Sequence, residues 1–312
     1  MRGARISGVG IALPDKVLTN VDLEARMDTS DAWITERTGI RERRIGGSTA
    51  ELAIEAGRRA LDAAGCDPAA VELVLLATTT PDQLVPATAP SVQAGLGLHC
   101  GALDLNAACS GWVYALLAGH GYIGLGLRTV LVIGAETLSR ITDYEDRSTG
   151  ILFADGAGAA VLEAVDGPGQ LLGFDLGADG AARRLLYCDH GEHFVMDGRE
   201  VFRRAVRIMV DSASRALERA GVRADEVDLV VPHQANVRII EAASERLGIP
   251  MERTAMVIQH TGNTSSASIP LALHDALERG RARDGDLVLF VGFGAGMTWA
   301  SAVVRWGGAP AA

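Results

Sequence analysis

Ala60-Leu-Asp-Ala-Ala-Gly-Cys-Asp-Pro-Ala-Ala-Val-Glu-Leu-Val74 returns 156 residues later as Ala216-Leu-Glu-Arg-Ala-Gly-Val-Arg-Ala-Asp-Glu-Val-Asp-Leu-Val230. Seven of the fifteen positions are identical, and Asp62/Glu218 and Glu72/Asp228 keep their charge. The offset is half of the 312-residue chain. Each copy reads as the end of a helix, a glycine stop and the start of a strand. In the first copy, Leu52, Ala53, Ala56, Ala60 and Ala63 recur at helical spacing over 49–64. Gly65 ends that helix. Val71-Glu-Leu-Val-Leu-Leu-Ala77 is then the continuous apolar run of a strand covered on both faces. Chance likeness between two helix–strand units is the competing reading. A unit repeated at half the chain length predicts two similar α/β halves, 1–165 and 166–312, presenting loops to a shared interface.

Working outward, the same offset carries Val130 to Asp286, which opens a second apolar strand, Asp286-Leu-Val-Leu-Phe-Val291. It carries Cys109 to Ser265, inside Gly262-Asn-Thr-Ser-Ser266. Further strands are predicted at 5–13, 101–106, 129–134 and 151–162, with a polar loop over 136–150. Gly8-Val-Gly10 opens like a dinucleotide fingerprint, but Leu13 stands where the third glycine is required.

Composition narrows the function. The chain is 48% hydrophobic, which supplies a large core, and its 4% aromatic content suits tightly packed α/β layers. A net charge of −10 argues against nucleic acid as the main partner. No signal peptide is read, and no apolar run reaches the roughly 20 residues that span a membrane. Cys66, Cys100, Cys109 and Cys188 match no zinc spacing, so a reducing, cytoplasmic setting is expected. Cys188-Asp-His-Gly-Glu-His193 is rich in donor atoms but reads as a loop, and no metal is expected there.

Four stretches can carry chemistry. Cys109 follows the strand 101–106 and precedes an apolar helical run to Gly124. A thiol at a helix N-terminus faces unpaired N–H groups and the positive dipole end, which favour the thiolate. The competing reading is a buried cysteine acting as a small apolar residue. His233, in Pro232-His-Gln-Ala-Asn236, lies just past the carboxyl end of a buried strand, where α/β folds place ligands. Asn263 sits in a polar loop before an apolar helix, where it could equally be a turn or cap residue. The glycines of Gly292-Phe-Gly-Ala-Gly-Met-Thr-Trp299 let backbone N–H groups approach a reacting atom. They could form a second arm of an oxyanion hole beside the Cys109 N–H. The duplication brings these loops to one crevice. A thiol, an imidazole and a carboxamide together form a set for acyl transfer.

In this order, Ala108-Cys-Ser-Gly111, Pro232-His-Gln-Ala-Asn236, Gly262-Asn-Thr-Ser265 and Gly292-Phe-Gly-Ala-Gly-Met-Thr-Trp299 resemble the β-ketoacyl-(acyl carrier protein) synthase III family. So do Thr29-Ser-Asp-Ala-Trp-Ile34, Arg37-Thr-Gly-Ile-Arg-Glu-Arg43 and Met196-Asp-Gly-Arg-Glu-Val-Phe202. The resemblance spans nearly the whole chain. It implies the thiolase-like fold, two duplicated α/β halves each with a mixed sheet, layered α-β-α-β-α, and a homodimer. It implies an acyltransferase that condenses an acyl-CoA primer with malonyl-acyl carrier protein and starts fatty acid synthesis. Cys109 would be the nucleophile, and His233 and Asn263 would hold the thioester oxygen during decarboxylation. The N–H groups of Cys109 and Ala295 would form the oxyanion hole. Trp33 and Arg147 would sandwich the adenine of coenzyme A, with Arg37, Gly198 and Arg238 along the pantetheine and phosphate channel. Met196 and Phe202 would line the acyl pocket. No metal or redox cofactor is implied; coenzyme A enters as the substrate thioester.

Two pocket positions depart from the family pattern. Val85 stands where a bulkier residue, given by the partner subunit, often forms the pocket floor, and Trp112 stands where Phe is common. A longer or branched primer, as in a polyketide-priming sister enzyme, is therefore the alternative. A cysteine hydrolase and a non-catalytic scaffold subunit are further alternatives, disfavoured by the duplicated scaffold and the retained cysteine. Arg199, Arg203 and Arg207 fall on one helical face, with Arg204, Arg238 and Arg246 expected nearby. That face could dock the acidic carrier protein by electrostatic steering, or be only a solvated charged face.

Overall fold

Every residue of Thr129–Thr137 and of Leu287–Gly294 is buried. Strands of that kind must lie centrally in sheets covered on both faces. The computed structural model describes residues 2–307. The first half contains β1 (Gly3–Ala12), α1 (Asp31–Thr38), α2 (Thr49–Ala64), β2 (Leu73–Ala77), β3 (Gly101–Leu105), α3 (Gly111–Gly124), β4 (Thr129–Thr137) and β5 (Asp155–Val165). The second contains β6 (Leu171–Ala178), α4 (Gly198–Ala220), β7 (Leu229–Pro232), α5 (Val237–Leu247), α6 (Ser268–Glu278), β8 (Leu287–Gly294) and β9 (Thr298–Arg305).

The first sheet runs β1-β5-β4-β2-β3 and the second β6-β9-β8-β7. In both, the second strand is antiparallel to its two neighbours and the central strand is parallel to the next. β1, β5, β4 and β2 thus correspond to β6, β9, β8 and β7, and β3 is an added edge. Register refines the repeat. Leu73 pairs with Val130, and Leu229 pairs with Val288. The helix–strand unit keeps the 156 offset seen in sequence. The central strand has slipped by two, so Val130 corresponds to Val288 and not to Asp286. A two-residue slip preserves which face each side chain takes, whereas a slip of one would turn the core outward.

The layers are α-β-α-β-α. α2 covers the outer face of the first sheet, and Leu52, Ala56 and Ala60 pack on Leu131 and Ile133. α3 and α6 fill the middle, where Trp112, Leu116, Leu271 and Leu273 meet Leu75 and Val132 from one sheet and Val231 and Phe290 from the other. α4 and α5 cover the outer face of the second sheet. Glycines permit the closest helix-on-sheet contacts. A Cβ on Gly10 would lie 2.3 Å from the Ala60 nitrogen, and one on Gly8 would lie 2.4 Å from that of Ala64. A Cβ on Gly173 would lie 2.5 Å from the Ala220 nitrogen, which is the same contact in the other half. Backbone packing therefore explains the interrupted glycine fingerprint at 8–10.

Between the halves' main elements, a small lobe packs Leu18, Leu23, Ile34, Ile45 and Ile151 beneath α1. Arg43 is fully buried there. Its Nε donates to the Ile151 carbonyl at 3.1 Å and its Nη1 to Asn20 Oδ1 at 2.6 Å. Burial pulls its pKa down to about 10. The strand expected over 151–162 begins only at Asp155. Residues 151–154 leave the sheet to pack against this lobe and to bond the Asn263 segment, with Ala154 N–H donating to the Asn263 carbonyl at 2.9 Å. Among the described residues no helix is long and apolar enough to cross a membrane.

Candidate active site

β3 ends at Leu105, and a tight turn separates it from α3. Asn106 Oδ1 accepts the Ala108 N–H at 3.1 Å, and Ala108 adopts a left-handed φ of 47°. This turn lifts Cys109 out of the strand line just before the helix. The end of β8 lies against it so closely that a Cβ on Gly294 would sit 2.5 Å from the Cys109 nitrogen.

The second half repeats the device. Asn263 Oδ1 accepts the Ser265 N–H at 2.9 Å, and Ser265 has φ 48°. Matching the two left-handed residues pairs Cys109 with Ser266, one place beyond the Ser265 expected from the sequence offset. It also makes Asn263 the counterpart of Asn106. With Oδ1 occupied by the backbone, Asn263 Nδ2 is left as a donor. β8 and β7 set the third group: the His233 N–H donates to the Val291 carbonyl at 2.8 Å, directly past the end of β7.

Cys109, His233 and Asn263 line one cavity of about 90 Å³. Cys109 is 7% and His233 2% exposed. Burial pushes the Cys109 thiol up to about 12. Hydrogen bonding from the Ser265 side chain and from the Cys109 and Ala295 N–H groups opposes the rise, while the charge of Glu136 adds to it. The helix terminus does not produce the thiolate expected from sequence, because the loss of water outweighs its N–H groups. Burial also pulls the His233 imidazole down to about 3, so the ring is neutral. Its Nδ1 lies 2.7 Å from Ser268 Oγ.

Among the residues singled out in sequence, Met196, Gly198 and Phe202 line this cavity. Ala295 directly follows β8, whose terminal Gly294 lies against the Cys109 nitrogen. Trp33, Arg37 and Arg147 do not line this cavity; the Arg147 guanidinium lies 4.8 Å from the Trp33 ring and that of Arg37 5.6 Å from it. Arg147 Nη1 donates to the Asp28 carbonyl at 2.9 Å. Arg238 lies 5.7 Å from the Phe202 ring.

Other expectations need correction. Trp112 does not line the cavity. It is fully buried in the middle layer, edge-on to Phe290 with centroids 5.4 Å apart, because its helix turns that face to the core. Val85, expected to reach the pocket of a partner subunit, calls for no such correction: it is 87% exposed and lies outside this chain's own cavity. The basic face of α4 is partly neutralised. Arg203 bonds Glu200, Arg204 bonds Glu200 and Asp179, and Arg207 lies 3.9 Å from Asp211. Arg199, Arg238 and Arg246 are exposed outside these ion pairs.

Sequence reading missed Leu186, Phe153 and Phe293, which also line the cavity. Leu186 lines both this cavity and a larger surface groove, and Phe153 stacks on Phe194 at 4.2 Å beside it. Nothing in their local pattern distinguishes them from core residues. Among the described residues no group of three or more His, Cys, Asp or Glu is placed to hold a metal ion.

The duplicated five-layer architecture is that of the thiolase-like enzymes. A family model described as 3-oxoacyl-[acyl-carrier-protein (ACP)] synthase III matches residues 103–180, and one for its C-terminal part matches 217–306. The chain belongs to the β-ketoacyl-[acyl-carrier-protein] synthase III family. It is 48% identical over 307 residues to β-ketoacyl-[acyl-carrier-protein] synthase III 1 of Bacillus anthracis, covering 97% of this chain and 98% of that protein. The crystal structure of 3-oxoacyl-[acyl-carrier-protein] synthase III from Aquifex aeolicus matches with a TM-score of 0.95 and 47% identity, over 97% of this chain and all of that one. The priming β-ketosynthase of the R1128 polyketide pathway matches with a TM-score of 0.94 at 36% identity, over 99% and 98%.

Proposed function

We propose that this chain condenses an acyl-CoA primer with malonyl-acyl carrier protein, giving 3-oxoacyl-acyl carrier protein, the opening step of fatty acid synthesis. The observation that carries the reading is that the Cys109 thiol from one half and the His233 and Asn263 side chains from the other share one small cavity.

In the first half-reaction the Cys109 sulfur attacks the primer thioester. The N–H groups of Cys109 and Ala295 stabilise the oxyanion. Coenzyme A leaves as its thiol, taking up the proton that Cys109 gives up. In the second, malonyl carrier protein enters. Hydrogen bonds from His233 and Asn263 hold its thioester oxygen while carbon dioxide departs and an enolate forms. Water is largely excluded, so each donor acts in a low dielectric. The enolate carbon attacks the acyl-cysteine, and the released Cys109 sulfur takes a proton from solvent. Side chains, backbone N–H groups and the substrate thioesters suffice for every step, so we propose no metal or redox cofactor.

Trp33 and Arg147 hold the coenzyme A adenine, for which Arg147 must swing away from the Trp33 ring it now covers at 4.8 Å, and Arg37, Gly198 and Arg238 lie along the channel. Met196 and Phe202, with Leu186 and the Phe153–Phe194 stack, bound the primer. Val85, with its neighbour Leu84 also highly exposed, closes the pocket of a second copy, which makes a homodimer the working unit. β3 supports the same reading: it pairs with β2 on one side and, among the described residues, with no strand on the other, and Leu103 is exposed, so it offers a template for a second copy's strand. Arg199, Arg238 and Arg246, with the paired Arg203 and Arg207, form the docking face for the acidic carrier protein in the cytoplasm. The small Val85 side chain favours a primer longer or more branched than acetyl, the feature on which a polyketide-priming role would rest.

The test is sequential. Acyl-CoA alone should add one acyl mass to the intact protein at Cys109, and malonyl carrier protein should then release carbon dioxide and 3-oxoacyl carrier protein. Product formed at the native rate by Cys109→Ala would sink the assignment. A panel of acyl-CoA primers read by mass spectrometry separates the fatty acid and polyketide readings.

A further inference from the structure

His233 is directed by a residue that neither the motifs nor the comparisons point to. Ser268 is fully buried at the start of α6, and its Oγ lies 2.7 Å from His233 Nδ1. The same oxygen accepts the Gln234 N–H at 3.3 Å. A hydroxyl donates once and accepts up to twice. With the Gln234 N–H on one acceptor site, the Ser268 proton needs an acceptor, and among the described residues His233 Nδ1 is the group within hydrogen-bond distance of Oγ that can serve as one. The Thr264 carbonyl, the usual alternative for a first-turn serine, is not hydrogen-bonded to Ser268 Oγ, whose contacts among the described residues are His233 Nδ1 and the Gln234 N–H. Burial keeps the ring neutral, so one nitrogen alone carries hydrogen. If Nδ1 accepts, Nε2 carries it.

The duplication supplies an internal comparison. By the strand register, Ala77 is the counterpart of His233, and by the turn match, Gly111 is the counterpart of Ser268. A Cβ on Gly111 would meet the Ala77 Cβ at 3.2 Å, so the two positions touch in that half as well. The contact belongs to the fold. Only the half that bears the imidazole also bears a hydroxyl.

We propose that Ser268 is a positioning residue that holds His233 as the Nε2–H tautomer, so that His233 Nε2 and Asn263 Nδ2 present two donors to one thioester oxygen. This rests on the condensing function proposed above. The measurement is made on the full-length protein labelled with ¹⁵N-histidine, with the His233 signals assigned by their loss in His233→Gln. Protonated and bare ring nitrogens resonate far apart, so the native tautomer is read directly. Expected are a hydrogen on Nε2 in the native protein and a redistribution toward Nδ1–H in Ser268→Ala. Condensation should fall at least about tenfold in that variant, while single-turnover acylation of Cys109 changes less than about threefold. Ser268→Thr, which keeps the hydroxyl, should restore condensation. A native Nδ1–H tautomer overturns the proposal even if the alanine variant fails to fold. So does a Ser268→Ala that keeps both the native tautomer and the native rate. Unimpaired condensation in His233→Gln would instead overturn the underlying reading of the site.

Discussion

Cys109 and His233 show how burial, more than local sequence, sets reactivity. The Cys109 thiol stands near 12, so below that pH its thiolate fraction grows tenfold per unit. Inactivation of the unliganded protein by iodoacetamide should therefore climb steadily, about tenfold per pH unit from 7 to 9. A plateau above pH 7 would show a thiolate already formed. Buried histidines act on stability in the opposite pH range. His120, on α3, is pulled down to about 4 by burial and its Nε2 has no hydrogen-bond partner among the described residues, while His233 stands near 3. Below about pH 6.5 the unfolded chain binds protons at these rings that the folded chain refuses until pH 4 or 3. Stability is therefore intact above pH 6.5 and falls as pH drops toward 4. Each ring contributes on the order of 1 kcal/mol per pH unit. Urea midpoints of His120→Gln should show a shallower acid slope than the native protein; parallel slopes would contradict this.

At the scale of the element, glycine positions report where helices press on sheets. Gly10→Ala and Gly173→Ala each thrust a Cβ into the backbone of α2 or α4. Each should cost about 1–3 kcal/mol or more by overpacking, read as a lower urea midpoint. Ala substitution at Gly180, where a Cβ would meet nothing, should leave the midpoint nearly unchanged. The charge on α4 divides similarly. Arg203 is tied to Glu200, whereas Arg199 is exposed and, among the described residues, in no ion pair. Arg199→Glu and Arg238→Glu should raise the KM for carrier protein severalfold, and added salt should shrink that difference. Arg203→Glu should act less on KM than Arg199→Glu. Equal KM values across all three, at low salt, would remove the docking face. Helical periodicity put Arg199, Arg203 and Arg207 on one face, where all three are exposed, and it brings Glu200 within reach of Arg203 and Arg204; Asp179, which bonds Arg204, comes from a different element and leaves no such signal.

For the whole molecule, the uncovered β3 edge and the exposed Leu84–Val85 tip are expected to be buried between two copies. Sedimentation should give twice the 32.7 kDa chain mass. Leu103→Lys should shift the protein toward monomer and lower condensation with it, and an active monomer would end the proposal that a second copy closes the pocket. The two-half architecture was legible from the 60–74 and 216–230 repeat, because helix stops and doubly buried strands are written in local composition. The catalytic candidates were legible too, because each sits in a short run of small and polar residues at the end of a strand. Leu186, Phe153 and Trp112 were not, since an apolar side chain carries no local mark of whether it faces a cavity or a core. The chain's own order of residues determined the duplication, the layer types, and the identity of the thiol, imidazole and carboxamide. Only the folded arrangement decided the two-residue slip of the central strand and the pairing of Cys109 with Ser266. It alone decided, too, the neutral state of the buried thiol and imidazole and the serine behind the histidine. Those depend on distance and water exclusion between segments well separated in the chain, 35 residues for His233 and Ser268, which no local pattern encodes.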